Sequence, residues 1–300
     1  MRVTVLGAGT MGAGIAQAAA TAGHAVALRD VEASYVEDGI ADIDDTLSEG
    51  VERDKVTPAE REAALDRITG TTDLAAAAAG ADLVIEAVSE DVDLKKAVLD
   101  ETEGHVGDDA VLASNTSALS VTELASALDR PERLLGLHFF NPVHLMRLVE
   151  VVVAERTDEA TLETARGFVE SLDKTAVEVR DSPGFASSRL GVALGAEAIR
   201  MYESGVASAA DIDAAMELGY NHPMGPLQLT DVVGLDVRLD VLEHLREELG
   251  ERFRPPQALK RKVRAGKLGK KTGEGFYVWE DGEAVRPADE PGGGAAEGPR

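Results

Sequence analysis

The chain has 300 residues, 44% of them apolar and none of them Cys. That suffices for about two domains with their own cores, and it excludes thiolate catalysis, disulfides and Cys-ligated metal clusters. Asp and Glu number 55 against 30 Lys and Arg, a net charge of −25, which argues against nucleic acid or an anionic membrane as partner.

Only nine of the cations are Lys, and aromatic residues make up 4%. This balance points to a halophilic surface, because at about 1 M salt the Debye length falls to roughly 3 Å and self-repulsion is screened. No apolar run approaches the roughly 20 residues of a membrane span. Residues 1 to 6, MRVTVL, read as a buried strand rather than a targeting segment, so a cytoplasmic protein is expected.

Short apolar or β-branched runs bounded by Gly, Asp, Asn or Pro follow in order: Val3–Leu6, Ala25–Arg29, Leu83–Val88, Val111–Ser114, Leu134–Phe139, Val149–Val153 and Ala176–Val179. Helical periods lie between the early ones, as at Ile15–Ala22 and Leu94–Glu103. Alternating β and α with continuously apolar strands predicts an α/β, Rossmann-like doubly wound, mostly parallel sheet over residues 1–181. Residues 31 to about 66 carry two helical patterns, the second restarted by Thr57-Pro58 as N-cap and first helical residue, so a helical hairpin insertion projecting from the sheet is expected. After Asp181-Ser182-Pro183-Gly184 only helical periods remain, which predicts an all-helical C-terminal domain over 182–280, with residues 276–279 (FYVW) as a short strand or turn. The Gly, Pro and Glu content of residues 281–300 predicts a disordered tail.

The first strand runs into Gly7-Ala8-Gly9-Thr10-Met11-Gly12 and then a helix. In G-x-G-x-x-G the first Gly makes the turn, the second lets a pyrophosphate approach the backbone, and the third allows close helix–strand packing. The amides of the helix N-terminus then hold the phosphates. The second strand ends at Asp30, where a carboxylate accepts from ribose hydroxyls and repels a 2′-phosphate, favouring NAD over NADP. Arg29 beside it is the opposing signal.

The catalytic candidate is His138, in an apolar strand that ends at Asn141-Pro142, with Glu150 twelve residues on. A carboxylate beside an imidazole orients it and stabilises the imidazolium as it forms, which suits a base that takes a proton from an alcohol while hydride leaves the same carbon. His144 with Glu150 is a competing pair. No metal-ligand set is assigned.

GAGTMGAGIA (7–16), IEAVSED (85–91), SNTS (114–117), HFFNPV (138–143), LVEVV (148–152), DSPGF (181–185), HPMGPLQLTDVVGLDV (222–237) and GKLGKKTGEGFYVW (266–279) together resemble the L-3-hydroxyacyl-CoA dehydrogenase family. The resemblance implies NAD-dependent interconversion of (S)-3-hydroxyacyl-CoA and 3-oxoacyl-CoA, an acyl-CoA substrate and a homodimer formed through the helical domain, with Leu190, Val192, Leu194 and Ile199 among its apolar faces. It implies His138 as base, Glu150 as its partner, Ser117 on the substrate 3-oxygen and Asn141 near the cofactor or the substrate carbonyl. Glu90, Lys95 and Lys271 would serve the cofactor, Lys95 also the CoA approach, and Thr46 and Arg53 would meet CoA. Ser188 stands where the family usually has Asn, a shorter reach toward the substrate.

Residues 252–271 hold nine Lys or Arg and no acid, read either as a solvated helix face or as an electropositive rim for phosphates. Two rival functions stay open: a dehydrogenase of a free hydroxy acid or sugar acid on the same scaffold, and a non-catalytic dinucleotide-binding protein.

Overall fold

The apolar runs become strands in a computed structural model of the chain, which describes residues 1–289. The chain divides into two units, Met1–Phe185 and a second that begins at Ala186, four residues beyond the boundary expected at 181/182.

The first unit runs β1 (Arg2–Leu6), α1 (Thr10–Thr21), β2 (Ala25–Arg29), α2 (Ala33–Glu52), α3 (Pro58–Leu65), β3 (Ile68–Thr71), α4 (Leu74–Ala78), β4 (Leu83–Glu86), α5 (Val92–Glu103), β5 (Val111–Ser114), α6 (Val121–Ala125), β6 (Leu134–Phe139), β7 (Leu148–Val153), α7 (Glu159–Ser171) and β8 (Thr175–Arg180). The eight strands form one sheet in the order β3-β2-β1-β4-β5-β6-β7-β8. All neighbours are parallel except β6 and β7. Every residue of β4, β5 and β6 is buried, which is why these strands read as mostly apolar runs.

The chain leaves β1 toward β2 on one side and later returns to β4 on the other. The carboxyl ends of β1 and β4 therefore flank the place where strand order reverses, the usual ligand crevice of such sheets. Thr57 caps α3 reciprocally with Glu60, Pro58 opening the helix, and α2 and α3 pack against each other and against α1. β3 was not expected: Ile-Thr-Gly-Thr has one large apolar residue and sits at the sheet edge, where burial is slight.

The second unit contains α8 (Ser187–Glu203), α9 (Ala209–Tyr220), α10 (Pro226–Val233), α11 (Leu235–Leu249), α12 (Gln257–Arg264), β9 (Tyr277–Glu280) and β10 (Glu283–Pro287). β9 and β10 pair antiparallel, so the expected disorder from residue 281 and the expected all-helical character are both corrected. Ala284 and Trp279 face each other in that pair, and the strand's backbone groups find partners that composition alone does not reveal. Residues 290–300 of the expected tail lie outside the described residues.

Two buried carboxylates hold this unit. Asp231 accepts from Phe276 N (2.8 Å), Tyr277 N (2.9 Å) and Trp279 Nε1 (2.9 Å). Asp213 accepts from Leu227 N (2.7 Å), Gln228 N (3.0 Å) and Tyr277 Oη (2.8 Å). Two glycines of GKLGKKTGEGFYVW follow from this: a Cβ on Gly269 would lie 2.2 Å from the Asp231 carbonyl oxygen, and one on Gly275 would lie 2.1 Å from Asp231 Oδ1. Val192 and Ile199 belong to the unit's own core, whereas Leu190 is 70% exposed. Among the described residues no helix is long and apolar enough to cross a membrane.

Candidate active site

The glycine loop is shaped for a dinucleotide. Gly7 has φ +102°, and a Cβ there would lie 2.6 Å from Ala87 O; on Gly12 it would lie 1.8 Å from Gly7 O. These two glycines are needed for close packing. Gly9 has nothing within 4 Å of its Cβ position, an open cradle in front of the N-terminus of α1, whose first turn contains no acid. That is the arrangement an incoming pyrophosphate requires. Gly7, Ala8, Gly9, Thr10, Asp30, Tyr35, Asp38 and Asp42 line one cavity of about 550 Å³. Met11, which follows Thr10 in the first turn of α1, is half-buried and packs on the core behind it.

Asp30 Oδ2 accepts from Ala8 N (2.7 Å) and Oδ1 from Val31 N (2.7 Å), so the carboxylate both braces the loop and stands at the end of β2. Asp38 and Asp42 add negative charge on the same wall, and Arg29 Nε reaches back to Thr72 O (3.3 Å). Asp30→Ala should raise KM for NADH about tenfold to a hundredfold and narrow the preference over NADPH. Steady-state kinetics with both cofactors measures this.

His138 and Glu150 are cross-strand partners in the antiparallel β6–β7 pair. Nδ1 of His138 lies 2.8 Å from Glu150 Oε2, with His138 6% and Glu150 1% exposed. A carboxylate can only accept, so Nδ1 carries the proton and the Nε2 lone pair is left to act as base; the tautomer follows from this bond. Nε2 has no hydrogen-bond partner among the described residues. Phe140 (4.5 Å between ring centroids) and Phe185 (5.7 Å) flank the ring. The competing pairing of Glu150 with His144 is not formed.

Ser117 follows β5 at the same sheet edge on which β6 ends. Its segment is anchored by Glu90, whose Oε1 accepts from Thr116 Oγ1 (2.6 Å), Ser117 N (2.9 Å) and Ser117 Oγ (3.3 Å). Beneath it, the Lys95 ammonium is 1% exposed and meets Glu86 Oε1 (2.7 Å), Val88 O (3.1 Å) and Glu90 Oε2 (3.2 Å). Its three donors are thus taken by protein acceptors, and Lys95 supports Glu90 from inside. Glu86 also accepts from Ser114 Oγ (2.6 Å). Asn115 Oδ1 accepts from Phe139 N (2.9 Å) and ties this segment to the end of β6.

Burial pushes the Glu90 carboxyl up, but Lys95 and the bonds from Thr116 and Ser117 outweigh it and hold it below its ordinary value. A depressed folded pKa contributes stability above the unfolded value, about 4.3, and loses it as pH falls through the lower folded value. The stability gap between wild type and Glu90→Gln should therefore be full at neutral pH and shrink below about pH 4.3, as urea titrations at several pH values would show.

Asn141 is exposed at the end of β6, before a cis peptide to Pro142. It lines a cavity of about 290 Å³ with Thr10, Gly14 and Asp42. A second cavity, of about 640 Å³, holds Arg53, Lys55 and Lys174. The two share Gln17, Thr46, Glu49 and His144, so they adjoin along α2. Thr46 and Arg53, seven residues apart, both line the larger one. Arg53 forms an exposed pair with Glu49 (3.1 Å), of the kind worth about 0–1 kcal/mol and easily exchanged.

The description "3-hydroxyacyl-CoA dehydrogenase, NAD binding domain" fits residues 2–182, and "3-hydroxyacyl-CoA dehydrogenase, C-terminal domain" fits residues 184–279. The chain belongs to the 3-hydroxyacyl-CoA dehydrogenase family. NAD is the cofactor of its first domain.

A probable 3-hydroxybutyryl-CoA dehydrogenase of Bacillus subtilis is 42% identical, over 93% of this chain and 98% of its own length. The mitochondrial hydroxyacyl-coenzyme A dehydrogenase of Sus scrofa is 41% identical, over 93% and 91%. The solved (S)-3-hydroxybutyryl-CoA dehydrogenase of Ralstonia eutropha superposes with a TM-score of 0.89 at 41% identity, over 93% of this chain and 99% of that one.

Two residues that the family resemblance singles out, Ser188 and Lys271, lie in the second unit. Ser188 is half-buried in the first turn of α8, and Lys271 Nζ bonds Asp236 Oδ2 (2.6 Å). The basic segment is largely engaged within that unit. Lys260 pairs with Glu243, Lys267 with Glu274, Lys262 donates to Gly275 O, and Lys270 lies over Trp279. Glu86, Asn115, Asp213 and Asp231 escaped the sequence reading. A charged residue closing a buried strand, as Glu86 closes Leu83-Val84-Ile85, was the available signal.

Proposed function

We propose that the chain interconverts (S)-3-hydroxyacyl-CoA and 3-oxoacyl-CoA, with His138 as the proton-transferring group. The observation that carries this reading is the buried His138–Glu150 pair, which leaves Nε2 as the free basic nitrogen at the sheet edge that bears the glycine loop. When bound, NAD supplies the hydride acceptor, or NADH the donor. In oxidation His138 takes the hydroxyl proton, and Glu150 offsets the positive charge that the ring gains. Ser117 hydrogen-bonds the 3-oxygen, Asn141 the adjoining carbonyl region, and Glu90 with Lys95 holds the Ser117 segment in place. Gly7 to Gly12 and Asp30 hold pyrophosphate and ribose, with Lys271 reaching the cofactor after exchanging Asp236. The cavities lined by Thr46 and Arg53 take the CoA arm, and Ser188 meets the acyl portion.

The family membership and these cavities favour a CoA thioester over a free hydroxy acid. The assay that tests this reduces acetoacetyl-CoA with NADH in molar KCl, with free acetoacetate as the comparison. Turnover of the thioester alone is expected. Equal turnover of the free acid supports the rival hydroxy-acid reading, and NADH binding without turnover of either supports a non-catalytic protein. The net charge of −25 favours a salt-requiring cytoplasmic enzyme, and the exposed Leu190, Leu218 and Tyr220 of the second unit favour a homodimer.

A further inference from the structure

Glu86 closes β4 as Ser114 closes β5, and the two are register partners in that parallel pair. A strand covered on both faces ordinarily fills such a position with an apolar residue. Here a carboxylate occupies it and an ammonium meets it from α5, with the Glu86 side chain 0% and that of Lys95 1% exposed. Apolar groups of similar volume are often as stable as a buried ion pair, or more so, so stability alone does not call for this one. Its role follows from where its bonds lead.

Glu86 Oε1 accepts from Lys95 Nζ (2.7 Å) and Val88 N (2.7 Å), and Oε2 accepts from Ser114 Oγ (2.6 Å). Two routes run from this carboxylate to one segment. On the first, Ser114 Oγ accepts from Thr116 N (3.3 Å). On the second, Lys95 Nζ pairs with Glu90 Oε2 (3.2 Å), and Glu90 Oε1 accepts from Thr116 Oγ1 (2.6 Å) and Ser117 N (2.9 Å). The Glu86 carbonyl oxygen adds a third tie by accepting from Asn115 N (2.8 Å). Ser117 Oγ itself lies 3.3 Å from Glu90 Oε1, longer than the usual O–H···O bond of about 2.7–2.8 Å. The backbone at Ser117 is thus fixed while its hydroxyl is only loosely held and can turn to another acceptor.

We propose that Glu86 is a positioning residue for the reaction: its carboxylate sets the Ser117 backbone so that the Ser117 hydroxyl meets the substrate 3-oxygen. This rests on the dehydrogenase reading and on Ser117 as the contact to that oxygen. In reduction the 3-oxygen gains negative charge as hydride reaches its carbon. A donor fixed in advance stabilises that charge more than it stabilises the bound ketone. Glu86 acts through Ser117, and a misplacement of about 1 Å at such a donor can cost roughly a hundredfold in rate.

The test is a double-mutant cycle of Glu86→Gln with Ser117→Ala in the reduction of acetoacetyl-CoA by NADH. Gln keeps the shape and one acceptor but removes the charge. Glu86→Gln alone should lower kcat by about tenfold to a hundredfold and change NADH affinity by a smaller factor. In the Ser117→Ala background the same substitution should cost about twofold or less, because two changes that act through one contact do not add. Equal losses in both backgrounds overturn the proposal, since a general loosening of the fold multiplies with any other defect. A wild-type kcat in Glu86→Gln also overturns it, including a loss confined to KM for NADH, which would make Glu86 a support of the cofactor cavity through Val88. Should Glu86→Gln fail to fold, Ser114→Ala removes one bond of the network. It should lower kcat about fivefold and lose that effect in the Ser117→Ala background; an unchanged kcat or an additive loss overturns the proposal. All these contrary results leave the dehydrogenase reading intact, whereas a folded, NADH-binding wild type that turns over no thioester overturns both.

Discussion

His138→Ala should lower kcat/KM for acetoacetyl-CoA reduction by about 10²–10⁴-fold while the protein still folds and binds NADH. His138 Nδ1 is committed to Glu150 at 2.8 Å, so Nε2 is the ring nitrogen that can exchange a proton with the 3-oxygen. Glu150→Gln should act in the same direction through kcat more than through NADH affinity, because the imidazolium charge it offsets develops as the reaction proceeds. The glutamine amide would also donate to Nδ1 and favour the opposite tautomer, which places a proton on Nε2 where oxidation needs a lone pair. Steady-state kinetics in both directions, with NADH fluorescence titration of each variant, separates these effects.

Asp231→Ala should have the largest effect on stability, a loss of about 3–5 kcal/mol. Its carboxylate serves Phe276 N, Tyr277 N and Trp279 Nε1, all in buried bonds, and Ala leaves all three donors without an acceptor. No relaxation of the hairpin repairs this cheaply, because Gly269 and Gly275 already bring the backbone into contact with residue 231. Trp279 is the chain's one Trp and donates to Asp231, so urea unfolding followed by its fluorescence reads this lock directly. A midpoint close to wild type would show that the hairpin is held by other contacts.

The legible parts of the fold were those with strong local signals. β5 and β6 fall where the runs Val111–Ser114 and Leu134–Phe139 placed them, because strands covered on both faces are mostly apolar and are bounded by turn residues. Thr57 and Pro58 marked the start of α3 through a cap and a fixed φ. β3 and β10 were not legible, since Ile-Thr-Gly-Thr and Glu-Ala-Val-Arg-Pro owe their strand form to pairing partners distant in sequence or set by a turn. His138 and Glu150 were visible as a spacing, but their bond depends on β6 and β7 being antiparallel in the register that makes them partners. Glu90 and Lys95 were visible only through the family resemblance, and their bonded chain with Glu86 was hidden because only the convergence of β4, α5 and the segment after β5 buries the three together.

The account turns on His138 Nε2 facing the reacting oxygen. A crystal structure with NAD and acetoacetyl-CoA bound measures this directly. It should place Nε2 about 2.6–3.2 Å from the 3-oxygen, and nicotinamide C4 about 3–3.5 Å from the carbon that bears it. An Nε2 turned away from that oxygen, or a thioester bound with its 3-carbon out of reach of the nicotinamide, would contradict it.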